Sequence, residues 1–127
     1  MATIGSIGDE LNLLIKQGST FKSYDIELQN NDGTPFDLTS CTLRGHIRKQ
    51  PSDIEPIAVV EFIYVDRTVG KFYFTLAKEI TTLIPAGQTI KSIESQYVWD
   101  CELEDALGVV TPLYYGSAKV FREVTHD

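Results

Sequence analysis

Positive charge is scarce in this chain: 11 lysines and arginines stand against 18 aspartates and glutamates, leaving a net charge of −7. A surface of that sign repels phosphate backbones, which argues against nucleic acid as a partner. Long apolar runs are also missing. No stretch approaches the roughly 20 residues that span a bilayer, and residues 1–10 hold neither a basic segment nor the apolar centre of an export signal. The expectation is therefore no membrane contact and no export by the chain's own signal. There are only two cysteines, Cys41 and Cys101, enough for one bridge at most. With nothing to mark an oxidising compartment, the composition favours buried free thiols over a disulfide. The two histidines, His46 and His126, fit no zinc-ligand or nucleophile–base spacing, and no CxxC, phosphate-cradling glycine loop or GxSxG is present. The chain is thus expected not to be an enzyme, with no catalytic residues, no cofactor and no metal.

What is there is a globular composition, 43% hydrophobic and 23% charged, in 127 residues, the size of one domain. Residues 1–10 precede the first patterned segment and are expected to form an N-terminal arm, with 11–127 as the single domain. Apolar residues recur at every second position in several segments, the period of a strand with one buried face. In 96–104, Tyr97, Trp99, Cys101 and Leu103 alternate with Val98, Asp100, Glu102 and Glu104. In 71–76, Phe72, Phe74 and Leu76 alternate with Lys71, Tyr73 and Thr75. Leu43, Gly45 and Ile47 alternate with Arg44, His46 and Arg48. Further strands are expected at 11–17, 20–28, 57–65 and 109–123, separated by turn-forming runs at 30–35, 51–56, 66–70 and 105–108. One short helix is expected over 77–84, where Ala77, Ile80, Leu83 and Ile84 follow helical spacing until Pro85 ends it.

About seven short strands with one helical connector predict an all-β, two-sheet antiparallel sandwich of immunoglobulin-like type, with a small closed barrel as the alternative. In the sandwich the third and sixth strands are neighbours, so Arg44, His46 and Arg48 should lie across from Glu104, Glu102 and Asp100. Trp99 should centre the core, with Phe62, Phe72 and Phe74 around it. The acidic row Asp100, Glu102, Glu104 and Asp105 is a solvated strand face before it is a calcium site, and Asn30 to Gly33 is a turn before it is a calcium loop. Tyr73, Tyr114 and Tyr115, with the outward-facing Val59, Ile63 and Val98, are the candidate partner-binding surface. Exposed tyrosines bury area at low entropic cost and keep a polar tip. Ile4 and Ile7, isolated among small residues, are the arm's candidate contacts.

A set of ordered segments resembles the β-sandwich domains of small bacteriophage and prophage virion proteins, such as baseplate, tail-fibre and head-associated components. It begins with Gly18-Ser19-Thr20-Phe21, Asp37-Leu38-Thr39-Ser40 and Leu43-Arg44-Gly45-His46-Ile47-Arg48. It continues with Thr82-Leu83-Ile84-Pro85-Ala86-Gly87 and Tyr97-Val98-Trp99-Asp100-Cys101-Glu102-Leu103. It closes with Gly108-Val109-Val110, the run Gly116 to Val120, and Glu123-Val124-Thr125. The chain departs from that pattern in a longer polar segment at 88–96, in Ser40 for a usual glycine and in His126 for a usual arginine. The resemblance implies a structural or adaptor role in a virion assembled in the host cytoplasm. Its expected partners are other virion proteins and copies of itself, and it carries over no catalytic residue. A carbohydrate- or receptor-binding immunoglobulin-like module is the alternative.

Overall fold

The computed structural model describes the backbone of residues 2–3, 8–86 and 94–122, and the side chains of 8–86 and 95–122. Ten strand segments run in the order β1 (Ala2–Thr3), β2 (Asp9–Glu10), β3 (Leu13–Lys16), β4 (Phe21–Lys22), β5 (Ile26–Gln29), β6 (Thr42–Arg48), β7 (Ala58–Asp66), β8 (Lys71–Leu76), β9 (Glu94–Glu104) and β10 (Val110–Phe121). A helix of six residues, α1 (Lys78–Leu83), links β8 to β9.

All ten segments belong to one mixed sheet, curled into a half-barrel. This overturns both the two-sheet sandwich and the closed barrel. The reason lies in β7, which pairs through Ala58–Val60 with β6 and through Glu61–Asp66 with β8. It carries the backbone ladder across the place where a sandwich would divide. Periodicity reports which face of a strand is buried, but not that a strand changes partner along its length.

From β7 the sheet extends one way through β6, β9 and β10, and the other way through β8 to β4 and β5. β10 is flanked on its outer side by β2 and β3, both parallel to it, while β1 lies parallel to β5 at the far margin. Segments of residues 1–10, expected as an arm, are thus strands at both margins. The candidate contacts Ile4 and Ile7 fall outside the described residues, as does the helix-to-strand segment 87–93.

The alternation read from sequence holds where the strands are long. Tyr97, Trp99, Cys101 and Leu103 are buried on β9, Phe72, Phe74 and Leu76 on β8, and Leu43 and Ile47 on β6. Trp99 is 3% exposed; its ring centroid lies 5.2 Å from Phe74 and 6.3 Å from Tyr114, and its indole N–H donates to Leu11 O at 2.6 Å. Phe62 continues the cluster, 5.8 Å from Phe74 and 6.0 Å from Phe72. The close approach of Leu11 and Asn12 to β10 needs Gly116. A Cβ there would fall inside the contact distance of Leu11 O and 2.7 Å from Asn12 Oδ1.

The helix departs from its expected face. Ile84 and Thr81 are buried, while Ile80 is 39% and Leu83 77% exposed. Thr81 takes the inward position because its hydroxyl accepts from Gly18 N–H at 3.2 Å and donates to Ser19 O at 2.9 Å, tying α1 to the β3–β4 turn. Both cysteines are buried free thiols. Burial raises the pKa of each, and neighbouring carboxylates add to the effect, Asp105 and Asp37 at Cys41 and Asp100 and Glu102 at Cys101.

Candidate functional site

The outer face of β10, β9 and β6 is a set of cross-strand rows. Tyr115, Asp100, His46 and Val59 stand side by side in one row, and Ser117, Val98 and Arg48 in the next. Arg44 lies opposite Glu102, not Glu104, a register two residues from the one expected. The reach of the arginine side chain still delivers two of the expected pairs on the diagonal. Arg44 bonds both Glu104 at 2.8 Å and Glu102 at 3.0 Å, and Arg48 approaches Asp100 at 3.5 Å. Asp100, Glu102 and Glu104 of the acidic row are thus engaged with arginines, while the Asp105 carboxylate accepts from Leu107 and Val109 N–H in its own turn; no cluster of metal-ligating side chains occurs among the described residues.

Between these rows, the loop at Pro51 and the start of the β2–β3 margin lies a groove of about 580 Å³. Its lining includes Glu10, Asn12, His46, Arg48, Asp100 and Tyr115. Of the expected surface residues, Tyr115 (46% exposed) and the half-buried Val98 line this groove, while Val59 (59% exposed) stands outside it, opposite His46. Ile63 and Tyr73 pair with each other across β7 and β8, on the outer face of the other half, and the Lys22 ammonium lies 4.4 Å above the Tyr73 ring. The expected surface is therefore two separate patches. Tyr114 belongs to neither. A bulge between Pro112 and Tyr114 turns Leu113 and Tyr114 inward in succession, so Tyr114 is buried against Trp99. Burial pushes its phenol up to about 12.

A second region escaped the sequence reading. β3 and β4 are joined by a tight turn, closed by Ser19 N–H to Lys16 O at 3.1 Å, yet they belong to opposite margins of the sheet. They splay apart from that turn and leave a seam of about 780 Å³, floored by Phe74 and Tyr114 and flanked by Leu13, Leu14, Phe21, Tyr24 and Ile26. Its lips carry Leu14, 67% exposed, and Tyr24, 93% exposed. Asp9, Glu10 and Asp25 supply acidic charge; Lys22 also lines the seam, and Lys71 stands 3.9 Å from Asp25.

The backbone on both lips is aimed into the gap. Leu11 N–H donates to Tyr115 O and Gln17 N–H to Phe121 O, both at 2.9 Å, so the odd-numbered residues of this margin turn toward β10. By the alternation of a strand, Leu14, between the β10-facing Leu13 and Ile15, turns its backbone groups toward the seam. Across it, Ser23 N–H donates to Phe74 O at 2.9 Å, which turns Lys22 and Tyr24 away from β8. Among the described residues, β3 pairs with β10 alone and β4 with β8 alone. A trace of the break was present in the sequence: the inward positions change parity from Phe21 to Ile26 and Leu28, the mark of an irregularity within the expected strand. No protein-family model and no curated protein matches this chain.

Proposed function

We propose that this chain is a non-enzymatic structural protein of a phage virion, working through protein–protein contacts. Its place would be as a tail, baseplate or fibre-attachment component, or as a capsid decoration protein. The observation that carries the contact role is the open seam, where two facing strand edges present backbone donors and acceptors above an apolar floor. Open edges are natural templates for another chain. The virion setting rests on the ordered segments from Gly18 to Thr125 that resemble virion β-domains. Exposed Val59 and Tyr115 on the outer face add a second contact patch.

The test is immunogold electron microscopy of a phage lysate with an antibody raised against the purified chain. Label on particles is expected, and its position at head, neck, baseplate or fibre selects the sub-role. Bare particles, with the antibody active on purified protein, would overturn the virion assignment. A carbohydrate-binding role has less support, because Tyr114 is buried and Tyr73 lies beneath Lys22, leaving Tyr115 as the one solvent-open ring of the three. A saccharide-dependent shift in tyrosine or tryptophan fluorescence would favour that role instead.

A further inference from the structure

We propose that the seam between β3 and β4 is filled by an extended, basic segment of a partner protein, added to the sheet as a strand. This deepens the protein-contact reading above and rests on it. Leu14 presents a backbone N–H and C=O from one lip, while Lys22 of β4 presents its own from the other. The four residues of β3 offer an edge of roughly 13 Å, enough for a short strand.

The side-chain requirement follows from the two faces such a strand would have. Inward positions would meet Phe74, Tyr114 and Ile26 and call for apolar residues. Outward positions would lie near Asp9, Glu10 and Asp25, with Lys22 and Lys71 as the opposing cations, and so call for basic residues in alternation. A second copy of the chain suits the site poorly, because each copy brings a net charge of −7 to an acid-rimmed gap.

The probe is a fluorescent heptapeptide of alternating lysine and valine, titrated into the full-length chain beside its glutamate–valine counterpart. Leu14→Pro removes the N–H that faces the seam. It leaves the ladder to β10 intact, since a proline is tolerated where the donor points away from the sheet. Leu14→Ala shortens the same exposed side chain and keeps the donor. The lysine peptide should bind wild type and Leu14→Ala alike and bind Leu14→Pro at least about tenfold more weakly. Binding should fall as salt is raised, and the Leu14 amide should exchange more slowly in the complex. Equal binding by a folded Leu14→Pro, equal binding of the glutamate peptide, or no binding by wild type would each overturn the proposal. So would a wild-type dimer that Leu14→Pro dissolves, which would put a second copy in the seam. Virion label without peptide binding removes the seam assignment alone; peptide binding without virion label removes the virion assignment alone.

Discussion

Trp99 meets both halves of the curled sheet, Phe74 from β8 on one side and Tyr114 from β10 on the other, and its N–H is bonded to the margin strand at Leu11. Trp99→Ala removes the largest side chain of that junction and should cost about 3 to 5 kcal/mol, read from urea unfolding followed by circular dichroism. An unchanged midpoint would contradict the packing. Tyr114 makes a pH prediction. Its phenol is held neutral up to about 12 by burial, reinforced by Cys101 and Asp9, against an ordinary value of 10.0. A pKa raised on folding stabilises fully below the unfolded value and is lost as pH climbs through the folded one. Stability should therefore fall between pH 10 and about 12, and Tyr114→Phe should fall less steeply than wild type in thermal melts across that window. Tyr114 was also the residue that the sequence misplaced. Alternation from Val110 puts it outward, and only the bulge at Pro112 brings it into the core.

Among the elements, β6, β8 and β9 were legible because each combines a regular period of two with one wholly buried face. Their adjacency was legible as well: the arginines of β6 and the acids of β9 are a complementary pair of rows, and the strands are indeed neighbours. The two-residue difference in register was not, because an arginine reaches a carboxylate directly opposite or one diagonal step away with similar ease. Arg44 does both. Its side chain is 38% exposed, so the pairs are solvent-screened. Arg44→Ala should cost below about 1 kcal/mol, and the difference from wild type should shrink in high salt. A large, salt-independent loss in urea titrations at two ionic strengths would count against this. The partner change within β7 and the splay of β3 from β4 left weaker marks, since both are decided by packing between segments far apart in sequence.

At the level of the whole molecule, the margins of the half-barrel are built largely by the first residues of the chain. Removing residues 1–9 takes away β1 and half of β2, and with them the parallel pairing to β5. The shortened chain should stay folded around Trp99 but melt lower, by roughly 4 °C for each kcal/mol lost. Its incorporation into particles, measured beside its melting temperature, separates a docking role for the segment from a purely stabilising one; unchanged incorporation would remove it from assembly. The pairing of Leu13 with Ala118 also sets a timetable for synthesis. A ribosome adding about 5 to 20 residues per second needs roughly 5 to 20 s to make the intervening chain, and closing so long a loop costs on the order of 4 kcal/mol. Throughout that interval β3 has been made and its partner strand has not, so each newly made copy carries an unmatched apolar edge until β10 leaves the exit tunnel.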